Sequence, residues 1–120
     1  MIYKFRAWDK ETKTMNGMAE IYRNRNQEIE LHPRDENIII MQSTGLLDKN
    51  GKEIFEGDIV DYKGRKAVIK WHGSYASFIY RFVDELQERK TEWKPLYLAY
   101  YKFEVVGNVH ENKDILEEKK

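Results

Sequence analysis

Four carboxylates lie within nine residues of one another, at Glu53, Glu56, Asp58 and Asp61. A pair of carboxylates can perform acid–base catalysis when burial drives their pKa values apart. Glu56 and Asp58 would share one face of a strand, but Gly57 between them interrupts that geometry. Acidic side chains on an exposed edge strand also discourage strand-to-strand aggregation. We therefore interpret this cluster as a solvated sheet edge and not as a catalytic site.

The segment from Gly45 to Lys52 has some features of a phosphate-binding loop. A P-loop has four residues between its glycines and a Ser or Thr directly after its lysine. Here five residues separate Gly45 from Gly51, and Glu53 follows Lys52. A carboxylate in the place of the magnesium-binding hydroxyl would repel a polyphosphate. The spacing therefore argues against phosphate binding by this loop.

The same segment also lacks the ligands of a calcium loop. A loop that began at Asp48 would need glycine at its sixth position and a bidentate Glu at its twelfth. The chain has Glu53 and Ile59 at those positions. The pair Asn50-Gly51 is instead a strong β-turn signal, because both residue types tolerate a positive φ. We predict a chain reversal here and no metal site.

The remaining nucleophiles and metal ligands show no catalytic spacing. His32, His72 and His110 are far apart and match no HExxH-like pattern, and no GxSxG elbow is present. The chain has no cysteine, which excludes thiolate nucleophiles, disulfides and Cys-type zinc sites. We expect no catalytic residue, no cofactor and no bound metal, and hence a protein that is not an enzyme.

Cationic and aromatic residues are interleaved between positions 62 and 80. Single-stranded nucleic-acid binders combine a cationic groove with aromatic side chains on which bases stack. The candidate nucleic-acid surface comprises Lys63, Arg65, Lys66, Lys70, Trp71 and Tyr75. The alternative is that the rings belong to the core and the cations are ordinary solvated strand positions, and we favour it because the net charge is zero.

The most apolar surface candidate is the run from residue 96 to residue 101. If only one of its faces meets the core, the other exposes an apolar patch, and such patches mark interfaces. The candidate interface comprises Leu96, Tyr97, Leu98, Tyr100 and Tyr101. The alternative is that the whole run is buried within one chain.

Composition places the chain among globular proteins. Its 120 residues predict a single domain over residues 1–120, and 41% of them are hydrophobic, which is enough for a core. The 21 basic residues balance 21 acidic ones. The N-terminus shows no apolar stretch of signal-peptide length, and no window approaches the roughly 20 apolar residues of a membrane span. We therefore expect a cytoplasmic protein with no membrane contact.

Periodicity predicts mainly strands. Alternating or β-branched segments predict strands at residues 2–8, 15–22, 38–41, 75–82 and 102–109, and a hairpin at residues 59–71 around the turn Lys63-Gly64-Arg65. Residues 84–90 fit a short helix or a loop, residues 96–101 fit a strand or a helix, and Asn112 fits the N-cap of a terminal helical turn. The predicted fold is mostly β: a small barrel or sandwich of short antiparallel strands, compatible with an SH3-like element, with one or two short helices.

Three blocks of the sequence resemble the YopX family of phage and prophage proteins. They are KFRAWD at residues 4–9, MQSTGLLDKNGKEIFEGDIV at residues 41–60 and FEVVGNVHEN at residues 103–112. The resemblance implies a small, mostly-β protein encoded by a phage or prophage of a bacterial host, and it brings no catalytic residues. The sequence therefore favours an accessory protein that acts through contacts with a phage or host protein or as a homo-oligomer. The alternative function is a single-stranded nucleic-acid-binding module.

Overall fold

The computed structural model describes residues 4–15, 20–23, 29–32, 38–87 and 93–117. Within these ranges the chain forms eleven β-strands, two short α-helices and three 3-10 turns, which confirms the predicted mostly-β class. None of the helices in the described ranges is long and apolar enough to cross a bilayer. The chain divides into two compact units, residues 1–42 and residues 43–120. The prediction of a single domain stays a prediction.

The first unit contains short antiparallel pairs. Its strands are β1 (Phe5–Asp9), β2 (Thr14–Met15), β3 (Glu20–Arg23), β4 (Ile29–His32) and the first half of β5 (Ile38–Leu47). Strand β1 pairs with β2 on one side and with β5 on the other, and β3 pairs with β4. Ala7, Trp8 and Met41 are buried here. The strand predicted at residues 15–22 is two strands, β2 and β3, and residues 16–19 between them lie outside the described residues.

The second unit is built on a five-stranded antiparallel sheet. The strands of this unit are the second half of β5, β6 (Glu53–Phe55), β7 (Asp58–Tyr62), β8 (Arg65–His72), β9 (Ser77–Phe82), β10 (Lys94–Pro95) and β11 (Glu104–Asn108). The sheet order is β10-β9-β8-β7-β11, and β6 pairs with β5. The last strand of the unit thus lies beside β7, which is the strand order of an SH3-like element. Helix α1 is Val83–Gln87 and helix α2 is Lys113–Glu117.

The hairpin predicted at residues 59–71 is confirmed as β7 and β8. Lys63 and Gly64 both have positive φ angles, 50° and 89°, as a two-residue type I′ turn requires. This turn matches the right-handed twist of the two strands and sets Tyr62 opposite Arg65 and Val60 opposite Ala67. The alternation of β7, β8 and β9 then places one set of side chains in the core: Val60, Ala67, Ile69 and Phe82, packed with Ile54, Leu96 and Phe103.

The run at residues 96–101 forms 3-10 turns, Leu96–Leu98 and Tyr100–Lys102, where the sequence left strand and helix open. Pro95 precedes the first turn with a φ of −66°, and the Ala99 N–H donates to the Leu96 carbonyl at 2.9 Å. A 3-10 turn repeats every three residues, so it directs few side chains inward. Leu96 is fully buried, whereas its two neighbours in the turn face solvent.

The Asp48 carboxylate links the turn at Asn50-Gly51 to the start of β11 through hydrogen bonds. Its Oδ1 accepts hydrogen bonds from the N–H groups of Asn50 and Lys52 at 2.9 and 2.8 Å, and its Oδ2 accepts one from Val105 at 2.9 Å. Gly51 has a φ of 82°. The predicted chain reversal is therefore present, and both oxygens of its carboxylate bind backbone N–H groups.

The solvated edge predicted for the acidic cluster is wrong for Asp58. Its side chain is buried, and its Oδ2 accepts a hydrogen bond from the Phe55 N–H at 2.7 Å, which closes the turn around Gly57. Strand β7 is an interior strand between β8 and β11 and not an edge strand. The error arose because strand order depends on which distant segments pair, and local sequence does not reveal this.

Candidate functional site

A groove of about 460 Å³ opens in the second unit, beside the hairpin of β7 and β8. Neighbouring strands supply its walls, because residues that are directly opposite in a ladder share one face of the sheet. Tyr80 lies opposite Lys94, and Tyr62 lies opposite Arg65. The groove is lined by four cations, four aromatic rings and one small residue: Lys63, Arg65, Lys94, Lys102, Tyr62, Tyr80, Phe82, Phe103 and Ala99.

The aromatic rings of the groove form a continuous edge-to-face chain. The ring centroids of Tyr62 and Phe103 are 6.1 Å apart, those of Phe103 and Tyr80 are 4.9 Å apart, and those of Tyr80 and Phe82 are 5.6 Å apart. Their interplanar angles lie between 78° and 86°. Such arrangements bring the positive edge of one ring to the negative face of the next. Phe103 is buried, so this chain connects the groove to the core.

Arg65 is held in place on three sides. Its guanidinium lies 3.6 Å from the centroid of the Phe82 ring, and its Nε and Nη2 donate to the two carboxylate oxygens of Asp84 at 3.1 and 3.0 Å. Glu85 lies 3.5 Å from the same Nη2. The hydrogen bonds to Asp84 raise the pKa of Arg65, so the cation is permanent. The bidentate geometry fixes the plane of the guanidinium as well as its charge.

Lys94 shares the carboxylate of Glu85, at 3.9 Å, and lies 5.3 Å from the centroid of the Phe82 ring. Lys63 and Lys102 differ from it, since neither forms an ion pair with a described residue. Their ammonium groups lie 5.4 Å from the Tyr62 centroid and 5.6 Å from the Tyr101 centroid, respectively. Among the described residues, the four cations of the groove therefore face two carboxylates, and the groove is electropositive.

The Tyr80 hydroxyl remains protonated at neutral pH. Burial raises the pKa of Tyr80, and the neighbouring Glu85 carboxylate raises it further. A hydroxyl of this kind can donate or accept a hydrogen bond but is no general base near pH 7. The described residues also contain no group of three or more acidic or histidine side chains that could hold a metal ion.

The six residues of the candidate nucleic-acid surface lie in several places. Lys63 and Arg65 meet at the groove. Lys66 points to the other face of β8, where its Nζ lies 2.7 Å from Asp61 and lowers the pKa of that carboxyl. Lys70 is exposed on that same face by the alternation of the strand. The groove therefore contains two of the four cations of the candidate surface.

The two candidate rings lie apart from the groove. Trp71 packs edge-on against Phe78 with centroids 5.0 Å apart, and it retains partial exposure. Tyr75 belongs to a cluster with His72 and Trp93, in which neighbouring centroids are 4.8 to 4.9 Å apart. Both candidate rings are exposed to solvent, and neither is among the lining residues of the groove.

The candidate interface divides between core and surface. Leu96 is buried in the core and Tyr100 is partly buried against it. Tyr97, Leu98 and Tyr101 expose 60%, 59% and 56% of their surface. We refer to these three residues as the exposed apolar segment.

Sequence reasoning missed Lys94 and Lys102 as members of the groove. Lys94 lies in a strand of two residues, which is too short to show any alternation. Lys102 ends a 3-10 turn and reaches the groove because the following residue, Phe103, is anchored in the core. The only local signal was that both lysines have aromatic residues as sequence neighbours, and this pattern is also typical of ordinary surface strands.

The fold and the groove define a small β protein with an SH3-like strand order and an electropositive, ring-lined groove. Over residues 4–117 the chain matches the family described as YopX protein. The chain therefore belongs to the YopX family, which confirms the resemblance of the three sequence blocks.

One solved structure is similar over nearly the whole chain. It is the crystal structure of protein EF1440 from Enterococcus faecalis, which is 31% identical with a TM-score of 0.59. The match covers 97% of this chain and 99% of EF1440. No curated protein is significantly similar to this chain.

Proposed function

We propose that this protein is a non-enzymatic accessory protein of a bacteriophage or prophage, which acts in the bacterial cytoplasm by protein–protein contact. The observation that carries this proposal is the exposed apolar segment. Tyr97, Leu98 and Tyr101 stand open to solvent within five residues of chain. Clustered apolar exposure marks contact surfaces, and tyrosine is enriched in them. Membership of the YopX family supports the phage setting.

The contact has two forms, a second copy of this chain or a different protein. Light scattering over a concentration series tests the first. We expect the average mass of the wild type to rise with concentration and that of the double variant Tyr97→Ser with Leu98→Ser to stay at the monomer value. The matched control, Leu47→Ser with Val106→Ser, removes two exposed apolar side chains elsewhere and should behave as the wild type.

Capture from phage-infected host cells tests the second form. Wild-type protein and both double variants serve as baits, and we expect a specific partner that the Tyr97 and Leu98 variant alone fails to retain. A wild type that stays monomeric at every concentration, together with identical captures by all three baits, would contradict the proposal.

The alternative function is a single-stranded nucleic-acid-binding module. The observation in its favour is that Lys63 and Arg65 reach the electropositive groove together. Binding of this kind should weaken steeply as salt is added, because counterions released from the phosphates supply the driving force. Arg65→Ala and Lys66→Ala should both weaken it if the hairpin surface as a whole carries the contact. Absence of binding at low salt would exclude this alternative.

A further inference from the structure

We propose that the groove beside the β7–β8 hairpin binds one nucleoside monophosphate unit, with its phosphate at Lys63 and Lys102 and its base against the rings. The unit is either a free nucleotide or one residue of a single strand. This inference does not depend on the protein-contact proposal. It narrows the nucleic-acid alternative to one groove and to one chemical unit.

The charges of the groove match a phosphate monoester. Arg65 and Lys94 share the carboxylates of Asp84 and Glu85, so their charge is largely compensated inside the protein. The excess charge lies on Lys63 and Lys102, neither of which pairs with a described carboxylate. An ammonium group on a flexible stem can bind phosphate as a point charge. The dianionic phosphate of a free nucleotide would complement these two lysines, and the singly charged phosphodiester of a strand would also be attracted to them.

The rings match a planar, uncharged group next to that anion. Tyr62 and Tyr80 line the groove in front of the buried Phe103 ring. Phe82 covers one side of the Arg65 guanidinium, while 46% of that side chain remains exposed. Aromatic rings and guanidinium planes are the two surfaces on which proteins stack bases. The bidentate bond to Asp84 orients the Arg65 plane before any ligand arrives.

Hydrogen-bonding groups complete the match. Tyr62 and Tyr80 both line the groove, and neither hydroxyl forms a hydrogen bond with a described residue. Because the Tyr80 hydroxyl is protonated at neutral pH, it can donate to a base carbonyl or to the sugar. The volume of about 460 Å³ lies in the range of small-ligand pockets, which is roughly 300 to 1,000 Å³. A peptide rich in glutamate would satisfy the lysines but has no aromatic ring to stack on those of the groove.

Titration calorimetry on the full chain tests the assignment with five probes. They are thymidine 5′-monophosphate, thymidine, inorganic phosphate, an eight-residue oligothymidylate and a peptide rich in glutamate. We expect the monophosphate to bind, thymidine and phosphate alone to bind at least about tenfold more weakly, and the peptide not to compete. Tighter binding of the oligonucleotide than of the monophosphate identifies a strand as the source, and equal binding identifies the free nucleotide.

The variant Lys63→Gln with Lys102→Gln should abolish the phosphate-dependent part of the affinity. One phosphate held by the two lysines predicts that oligothymidylate affinity falls roughly 2.6-fold between 50 and 200 mM salt through this contact, at a slope of about −0.7 per phosphate. The double variant should lose both this slope and most of the affinity. Lys70→Gln is the control, because Lys70 is an exposed cation on the opposite face of β8. If the double variant disturbs folding, Tyr80→Phe serves as the second variant, because it removes only the hydroxyl and leaves the ring chain intact.

Three results would overturn the inference. The first is no binding of the monophosphate or the oligonucleotide at low salt. The second is oligonucleotide binding that Lys70→Gln weakens as much as the double variant, which would leave the nucleic-acid alternative standing but place it outside the groove. The third is binding of the acidic peptide in preference to the nucleotide, which would assign the groove to protein recognition.

Discussion

Asp48 and Asp58 show at the scale of single residues what buried carboxylates do in this protein. Each accepts backbone hydrogen bonds inside a tight turn, and neither faces the groove. A buried carboxylate requires such partners, because an unpaired charge in the interior is costly. These two side chains therefore determine how turns are closed and contribute nothing to the cationic surface.

Asp48→Asn should destabilise the protein by about 3 kcal/mol. The amide keeps one acceptor oxygen but turns an NH2 group towards backbone N–H donors that the carboxylate now binds. Urea denaturation followed by circular dichroism measures the change. Glu104→Gln is the matched control, because its half-exposed pair with Lys49 at 3.9 Å should change stability by about 0.5 kcal/mol or less. Equal effects of the two variants would contradict the assigned role of Asp48.

The stability that Asp48 provides should disappear in acid. Burial by itself raises the pKa of Asp48, but hydrogen bonds from Val105, Lys52 and Asn50 outweigh burial, and the pKa of the folded state lies below the ordinary 3.8. A carboxyl with a lowered folded pKa stabilises fully above its unfolded pKa and loses that contribution as the pH falls through the folded value.

The difference in unfolding free energy between the wild type and Asp48→Asn should therefore be constant above about pH 5 and shrink below about pH 4. Urea midpoints of both proteins between pH 3 and pH 7 measure it. A difference that stays constant down to pH 3 would show that the Asp48 charge does not contribute.

At the scale of elements, strand β11 pairs irregularly with β7 near its C-terminal end. The pairing of β11 with β7 shifts register between Val105 and Gly107. The Asn108 side chain accepts from the N–H groups of His110 and Glu111, and the Asn112 side chain accepts from the Asn108 N–H. Asn112, the predicted N-cap of α2, thus directs its side-chain oxygen back to β11. The helix predicted to follow it is nevertheless present as α2.

Gly107→Ala should destabilise the protein by about 2 kcal/mol, although the backbone there needs no glycine conformation. A methyl group at this position would overlap the side chain of Asn112, which lies against the strand. Gly73→Ala is the control, because a methyl group there meets open space and should change stability by less than about 0.5 kcal/mol. Thermal unfolding of the two variants measures the contrast, and a neutral Gly107→Ala would show that Asn112 moves aside freely.

At the scale of the whole molecule, residues 43–120 contain a complete core. The buried cluster around Ile69 and Phe103 and all five strands of the larger sheet lie in this unit. A domain core of this kind can fold without the rest of the chain. The groove and the exposed apolar segment also lie entirely in this unit.

A fragment of residues 43–120 should therefore unfold cooperatively in urea, with a stability of about 4 kcal/mol or more at typical values per residue. A fragment of residues 43–102 is the control. It lacks β11 and Phe103, so it exposes the edge of β7 and opens the core, and it should show no cooperative transition. If the fragment of residues 43–120 is as unfolded as the shorter one, this core does not fold independently of residues 1–42.

Local patterns predicted those parts of the fold that depend on a few neighbouring residues. The hairpin of β7 and β8 was predictable because the Lys63-Gly64 turn and the alternation of its strands are both local. The 3-10 turns after Pro95 were not, since the same apolar run suits a strand or a helix. Of the four cations of the groove, the sequence predicted only Lys63 and Arg65, because Lys94 and Lys102 join them through strand pairing and core anchoring.

The sequence by itself therefore determined the mostly-β class, the reversals at Asn50-Gly51 and Lys63-Gly64, and the family. Each of these is encoded by residue type and spacing within short segments. Only the tertiary structure decided that β7 is an interior strand, that Asp58 is buried, and that four cations meet four rings in one groove. Those facts depend on contacts between segments far apart in sequence, and such contacts follow from the pairing order of the strands and not from any local pattern.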